Sequence, residues 1–218
     1  MAHSAAGLDD RKMLVAQAVH RTMLARGLQG VNLRDIAREL GMTTGFLTHY
    51  FRDKAELLLF AKDMLMQDMM RGAREAGGSA AGWGRLQVVC EHLLPLTPER
   101  ADTWLVFFAF LGSAVGDRKL MHVQLARYRA SHRFFEEELS LLVSAGHLPR
   151  VIDLSREALA LASFVDGLVI NALFSSAREQ RDLQCELLAQ FINRALKRRD
   201  TTRTRRRDRG TPGTRSAT

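Results

Sequence analysis

The chain has 218 residues, of which 46% are hydrophobic, 7% aromatic and 26% charged, a composition typical of a globular protein with one or two domains. No apolar run reaches the ~20 residues of a membrane-spanning helix, and the N-terminus lacks signal-peptide features, so we expect a cytoplasmic protein without a membrane partner. The two cysteines, Cys90 and Cys185, are too few and too distant for a disulfide framework, and we expect reduced thiols.

The net charge of +8 is concentrated at the C-terminus, where residues 194–218 carry ten basic and two acidic side chains. Within the remainder, residues 1–62 hold nine basic and six acidic groups, whereas residues 63–193 hold thirteen and sixteen. A basic N-terminal part on a slightly acidic body indicates that the N-terminal part faces a polyanion.

Helical periodicity runs through nearly the whole chain and no alternating strand pattern is evident, which predicts an all-α fold. The first helix is expected over residues 10–26, with Leu14, Ala18 and Ala25 on its buried stripe and Gly27 as its stop signal.

Capping residues mark the starts of the next three helices. Asn32 precedes a short helix over residues 33–40, and Thr43 precedes another that ends at about Phe51. Asp53 begins a segment similar to a capping box, which predicts a long fourth helix to about residue 74.

Five further helices are predicted downstream, over about residues 83–94, 98–115, 118–145, 154–176 and 182–199. Thr97, Asp117 and Asp153 are the expected caps of three of them. From Asp200 onward no large apolar residue is present to offset the entropy of ordering the chain, so we expect residues 200–218 to form a disordered tail.

The two short helices, joined by a turn with Gly41 on a basic unit, form a helix-turn-helix candidate, although any small three-helix unit contains such a pair. Leu47 and Phe51 share one face of the second helix and should pack inward. The opposite face presents the small or hydroxyl-bearing residues Thr44, Gly45 and Thr48, with Phe46 and His49 flanking them.

This nearly uncharged face can enter a major groove of double-stranded DNA. Threonine hydroxyls and methyls and the edge of Phe46 suit base edges and thymine methyl groups, and Gly45 permits close backbone approach. The planar guanidinium of Arg34, with its paired N–H donors, suits the acceptor edge of guanine. Phosphate contacts, which fix the register, are expected from His49, Tyr50 and Lys54.

Five segments within residues 11–60 carry a family resemblance with gap-free spacing: Ile36-Ala37, Leu40-Gly41-Met42-Thr43, Gly45-Phe46-Leu47, His49-Tyr50-Phe51 and Lys54-Ala55-Glu56-Leu57. They resemble the DNA-binding domain of the TetR family of transcriptional regulators, in which an aromatic residue often replaces Thr48. The resemblance implies base contacts from Arg34, Thr44, Gly45 and Phe46, and backbone contacts from Thr43, Thr48, His49, Tyr50 and Lys54.

The same resemblance implies a homodimer with an N-terminal three-helix helix-turn-helix domain over residues 8–52 and a C-terminal helical ligand-binding and dimerisation domain over residues 53–199, with the fourth helix as connector. Most members of the family are repressors that leave a palindromic operator when a small-molecule effector binds. The segment around Phe46 and the helix containing Trp104 are also similar to the choline-responsive BetI-type subgroup.

Aromatic side chains on the sixth and seventh helices can line an apolar effector cavity or simply belong to the core. An aromatic cage of this kind can hold a quaternary ammonium, with Asp166 or a glutamate as the counter-charge. The candidate effector-binding residues are Trp104, Phe107, Phe108, Leu111, Tyr128 and Phe135.

The eighth helix is apolar almost all round, which predicts burial on several sides, by its own core and by a partner chain. With the ninth helix it can form a two-fold four-helix interface; the alternative is a core helix within one chain. The candidate interface residues are Phe164, Gly167, Leu168, Leu187 and Phe191.

The chain shows no nucleophile elbow, phosphate-binding loop or dinucleotide fingerprint, so we expect neither an enzyme nor a cofactor. His132 and Glu136 have metal-ligand spacing but no third ligand nearby, so no metal site is expected. Two alternatives to an effector-released repressor remain: a DNA-binding protein without sequence preference that uses the basic tail, and a regulator that responds to no effector.

Overall fold

The computed structural model describes residues 5–115, 118–175 and 177–197. No strand occurs in this part of the chain, so the predicted all-α class is confirmed. The helices are α1 (Ala5–Arg26), α2 (Leu33–Glu39), α3 (Thr44–Tyr50), α4 (Lys54–Gly77), α5 (Gly82–Leu93), α6 (Pro98–Ser113), α7 (Arg118–Ser144), α8 (Leu154–Leu173) and α9 (Ala177–Phe191). A 3-10 turn, Leu28–Gly30, follows α1, and a π-helical segment, Ile192–Lys197, follows α9. The predicted cap Asp117 and the predicted disordered tail lie outside the described residues.

Side-chain caps begin the helices where the sequence predicts them, since each accepts a backbone N–H that the first helical turn leaves unpaired. Asn32 accepts from the Asp35 amide at 2.8 Å, and Thr97 and Asp153 cap α6 and α8 in the same way. Asp53 Oδ1 accepts from the Glu56 amide at 2.8 Å at the start of α4. The stop after α1 is also confirmed, because Gly27 adopts a φ of 68° that favours glycine.

The buried stripe of α1 differs from the prediction. Ala18 is fully buried as expected, but Leu14 is 48% exposed and Ala25 is exposed, so the prediction was wrong for these two residues. The helix instead buries a stripe displaced by about one residue, which consists of Val15, Ala16, Ala18, Val19 and Met23. A helix with apolar residues on more than one line has several candidate inner faces, and its packing partners select one of them.

The chain divides into two compact units, one comprising the residues up to Ala76 together with His92–Arg129, the other comprising Gly77–Glu91 and the residues from Ala130 onward. Helices α1, α2, α3, α4 and α6 all contribute to the core of the first unit. The core is formed by apolar side chains such as Val19, Ile36, Leu47, Leu57 and Phe110. This core is the scaffold on which α2 and α3 are held. The functional division at residues 52 and 53 stays a prediction.

In the second unit, α8 buries one face, including Leu161, Val165 and Val169, and exposes the other. The same unit holds an ion pair between Arg85 Nε and Glu138 Oε2 at 3.1 Å, with both side chains largely buried. Cys90 and Cys185 are free thiols, and burial raises the pKa of Cys90. Within the described residues, no helix has the length and apolar composition needed to cross a bilayer.

Candidate DNA-binding site

Local contacts hold the helix α3 at its N-terminus. Thr43 Oγ1 accepts from the Phe46 amide at 3.1 Å, which caps its N-terminus. The preceding turn uses Gly41 at a φ of 64°, and the Met42 amide donates to the Ala37 carbonyl at 2.8 Å. These contacts fix the angle at which α3 leaves α2, as the helix-turn-helix arrangement requires.

The two faces of α3 are separated as the sequence predicts. Leu47 is fully buried and Phe51 nearly so, and both belong to the core of the first unit. The side chains of Thr44 and Thr48 are exposed, and Gly45 between them is exposed as well. Thr48 Oγ1 donates to the Gly45 carbonyl at 3.2 Å, so the hydroxyl hydrogen is used within the helix while the oxygen can still accept a hydrogen bond.

The aromatic side chains of α3 form a chain of ring contacts. Phe46 and Tyr50 have ring centroids 5.0 Å apart, and His49 meets Tyr50 edge-on at 5.1 Å. His49 and Tyr50 are exposed, whereas Phe46 is half-buried. Phe46 therefore presents only part of its ring to solvent, and the rest faces a groove of about 180 Å³ that α1 and α4 help to line.

Basic side chains near this face differ in how far they are already engaged. Arg21 pairs with Glu39, and Arg38 pairs with Asp35. Arg34, exposed at the second position of α2, has no ion pair within the described part of the chain. Its guanidinium is thus available to a ligand outside the chain.

Lys54 has a structural contact that the sequence did not reveal. Its ammonium donates to the Gln29 carbonyl at 3.0 Å, which ties the first turn of α4 to the 3-10 turn after α1. Beside it, the Arg52 amide and guanidinium both donate to Glu56, and these bonds hold the pKa of Glu56 below its usual value. The N-terminus of α4 is therefore tied to the 3-10 turn that precedes α2.

Three of the predicted effector residues form one aromatic cluster. Trp104 contacts Phe107 edge-on at 5.4 Å and stacks on Phe108 at 5.9 Å. Trp104 is buried, and its indole N–H donates to the Leu93 carbonyl at 2.7 Å. Leu111 is half-buried and Tyr128 is exposed in the same unit, whereas Phe135 lies in the second unit against Phe134.

A buried polar pair beside this cluster was not predicted from the sequence. Lys62 on α4 and Gln124 on α7 are each only 5% exposed, and Lys62 Nζ donates to Gln124 Oε1 at 3.0 Å. The signal available in the sequence is the spacing of Lys62, one turn after the buried Leu58 on the inner face of α4.

The predicted interface residues on α8 and α9 fall into two groups. Phe164 stacks on Phe191 with ring centroids 4.2 Å apart, and Leu168 is buried within the chain. Leu187 is exposed, and a Cβ added at Gly167 would meet nothing within 4 Å. Further large apolar side chains are exposed on these two helices, namely Leu159, Ile170, Phe174 and Leu183.

In the described residues, no group of three or more histidine, cysteine, aspartate or glutamate side chains is arranged to hold a metal ion.

Two family models match the chain. The model for bacterial regulatory proteins of the tetR family matches residues 17–60, and the model for the C-terminal part of BetI-type transcriptional repressors matches residues 84–197. These ranges include α2 and α3 in the first case and α8 and α9 in the second.

Similar curated proteins are transcriptional regulators. The chain is 31% identical to the HTH-type transcriptional regulator BetI of Agrobacterium fabrum over 171 residues, which cover 77% of this chain and 78% of the relative. It is 26% identical to the HTH-type transcriptional regulator PksA of Bacillus subtilis over 211 residues, which cover 91% and 96% of the two chains.

Solved structures share the fold. A structure from Rhodococcus sp., described as a TetR-family transcriptional regulator, superposes with a TM-score of 0.70 at 21% identity, covering 83% of this chain and 97% of the other. A transcriptional regulator from Saccharomonospora viridis, solved in complex with choline, gives a TM-score of 0.65 at 21% identity, with coverage of 85% and 96%.

Proposed function

Because the chain belongs to the TetR family of transcriptional regulators, which bind DNA and are not enzymes, we propose that it is a homodimeric repressor released from a palindromic operator by a small-molecule effector. The observation that carries this proposal is the outward face of α3, where Thr44, Gly45 and Thr48 are exposed while Leu47 anchors the helix in the core. A face that is small, polar and nearly uncharged fits the major groove.

Each side chain on and around that face has a proposed role. Arg34, Thr44, Gly45 and the exposed edge of Phe46 contact bases, because they combine a planar donor, hydroxyl groups and close backbone approach. Contacts to the sugar-phosphate backbone come from the surrounding polar residues Thr43, Thr48, His49, Tyr50 and Lys54. In this proposal the helix-turn-helix domain over residues 8–52 binds DNA, and residues 53–199 bind the effector and dimerise.

Dimerisation through α8 and α9 is supported by their exposed apolar side chains. Ile170 on α8 and Phe174 at its C-cap are four residues apart, and Leu183 and Leu187 on α9 have the same spacing. Exposure of a row of apolar side chains on two adjacent helices is unfavourable in water. We therefore expect a second copy of the chain to bury this row. Gly167, which lies in open space, allows the partner helix to approach closely.

Two-fold symmetry sets the geometry of DNA binding. Two copies of α3 would enter successive major grooves on one side of the duplex, about one helical turn apart. An effector releases the repressor only if it binds more tightly to a state in which the two DNA-binding domains no longer match this spacing. The coupling free energy between effector binding and DNA binding is typically ~1–3 kcal/mol.

The effector site is proposed near the aromatic cluster of Trp104, Phe107 and Phe108. These rings provide apolar surface of the kind that lines small-molecule sites. The choline bound by the Saccharomonospora viridis regulator makes a quaternary ammonium one candidate effector for this chain.

The decisive experiment is selection of bound DNA from a random pool, followed by competition between the selected sequence and random duplex at several salt concentrations. We expect a palindromic consensus and a selected-site affinity at least about 10³-fold above that for random DNA. Equal affinity for both, falling steeply with salt, would show binding without sequence preference and refute the proposal.

A truncation separates the contribution of the C-terminal basic residues from that of α3. Deletion of residues 200–218 should weaken binding to random DNA and leave the ranking of operator variants unchanged, because these side chains add charge without reading bases. A changed ranking would assign base recognition to the deleted segment.

A further inference from the structure

In the described part of the first unit, two polar side chains are buried. Lys62 on α4 and Gln124 on α7 are each 5% exposed, and the rings of Phe107 and Phe110 on α6 lie near the Lys62 ammonium. Burial of charged and amide groups is unfavourable unless their hydrogen bonds are satisfied, so a pair of this kind calls for an explanation.

Lys62 determines which way the Gln124 amide points. Its ammonium can only donate, and it donates to Gln124 Oε1 at 3.0 Å. The carbonyl of the amide therefore faces Lys62, and the NH₂ group is turned away from it. In the described part of the chain, Gln124 Nε2 is buried and has no hydrogen-bond partner.

The charge at this place is already balanced within the protein. Lys62 Nζ also lies 3.1 Å from Asp63 Oδ1, so the ammonium has a carboxylate partner. The requirement that remains is an acceptor for the Gln124 NH₂ group, and either a carboxylate or a neutral carbonyl oxygen meets it.

The aromatic rings at this place already face a cation. Lys62 Nζ lies 5.8 Å from the ring centroids of both Phe107 and Phe110, which is within the range of cation–π attraction. A second cation would find these ring faces already occupied by Lys62 and the neighbouring carboxylate of Asp63 already engaged with the ammonium. These rings therefore disfavour a quaternary ammonium.

We propose that Gln124 Nε2 is a donor to the effector, and that the effector is an apolar molecule bearing an acceptor oxygen, carboxylate or carbonyl, rather than a quaternary ammonium. This inference rests on the proposed release of the repressor by a small molecule and specifies the chemistry of that ligand. Its polar end would lie at Gln124, and its apolar body would lie along Phe107 and its ring partners Trp104 and Phe108.

Isothermal titration of the full chain tests the proposal with defined probes. Butanoate, octanoate and dodecanoate represent carboxylates, 2-octanone represents a neutral carbonyl, and choline represents the quaternary ammonium. We expect at least one oxygen-bearing probe to bind and to release the DNA obtained by selection, and choline to bind more weakly than that probe. The comparison of octanoate with 2-octanone separates an anionic from a neutral ligand.

Two variants locate the contact. Gln124→Leu should lower the affinity for the bound probe about 10–100-fold, because a hydrogen bond to a buried acceptor is lost. Gln124→Glu keeps an oxygen for Lys62 but replaces the NH₂ group by a second acceptor, so carboxylates should lose at least as much affinity. This second variant retains the partner of Lys62 and keeps the test valid if Gln124→Leu does not fold.

Gln184→Leu is the matched control, since Gln184 is 6% exposed, lies on α9 in the second unit and also has a buried atom without a partner. Its probe affinity should equal that of the wild type. Tighter binding of choline than of every oxygen-bearing probe, no binding of any such probe, or unchanged affinity in both Gln124 variants would overturn the proposal. Sequence-selective DNA binding in the same samples would show that the proposed operator recognition stands even then.

Discussion

Gly45 allows the fold of α3 and its approach to DNA to be tested separately. The residue has a negative φ, and a Cβ added to it would meet only Thr43 Oγ1 at 4.0 Å, an ordinary contact distance. Gly45→Ala is therefore free of strain in the protein itself. Because alanine loses less backbone entropy than glycine in a helix, the substitution should raise the free energy of unfolding by about 0.5–1 kcal/mol.

The same methyl group should weaken DNA binding if the backbone of Gly45 approaches the base edges. Overfilling a close-packed contact costs about 1–3 kcal/mol, so the expected loss of operator affinity at each half-site is about 5–150-fold. The variant would then be more stable than the wild type and a poorer DNA binder, a combination that misfolding cannot produce.

Thermal unfolding followed by circular dichroism and fluorescence anisotropy with the selected DNA measure the two effects. For a chain of this size, the stabilisation corresponds to an increase in Tm of about 1–4 °C. Gly84→Ala is the control: Gly84 is an exposed helical glycine in α5, and a Cβ there meets nothing within 4 Å, so its stability should rise with no change in DNA affinity. Wild-type affinity in Gly45→Ala would refute close approach, and a lower Tm would show that the glycine serves the fold.

Four further predictions test individual contacts. Thr43→Ala should lower the free energy of unfolding by about 1 kcal/mol because the cap of α3 is lost, and Thr43→Ser should retain it; equal stability of both variants in urea unfolding would contradict the cap. Arg34→Ala should cost about 1–3 kcal/mol and relax base preference at one operator position, whereas Lys54→Ala should weaken all sequences alike, as measured by anisotropy on operator variants; equal losses on operator and random DNA for both would contradict these roles. Phe174→Glu, at a side chain that is 84% exposed, should convert dimer to monomer in analytical ultracentrifugation, and a dimer of unchanged affinity would place the interface elsewhere. Burial lowers the pKa of His20 below its usual 6.5, so the folded state favours the neutral ring and protonation favours unfolding; the protein should lose stability as the pH falls below 6.5. His20→Gln should reduce the decrease in Tm between about pH 7.5 and pH 5.5. An unchanged decrease in Tm would contradict the lowered pKa.

Short-range features of the fold could be predicted from the sequence. The caps at Asn32, Thr43 and Asp53 and the glycine stop after α1 depend on residues within one helical turn of each other. The division of α3 into an inner and an outer face follows from the same short-range periodicity, because Leu47 and Phe51 are four residues apart. Local geometry alone decides these features.

The inner face of α1 could not be chosen in this way. Leu14 and Val15 both begin plausible apolar lines along the helix, and of the three residues predicted from the sequence only Ala18 is buried. Which line is buried depends on how α1 packs against α2 and α6, and those contacts are made by residues distant in the chain.

Capping and helical periodicity act over a few neighbouring residues, so the amino-acid sequence was enough to predict an all-helical chain, the limits of most of its helices and the small hydroxyl-bearing face of α3. The folded structure was needed to show that Lys54 joins α4 to the Gln29 carbonyl and that Lys62 meets Gln124 across 62 residues of chain. Such contacts depend on which helices pack together, and no local pattern records which distant side chain will satisfy a buried hydrogen-bonding group.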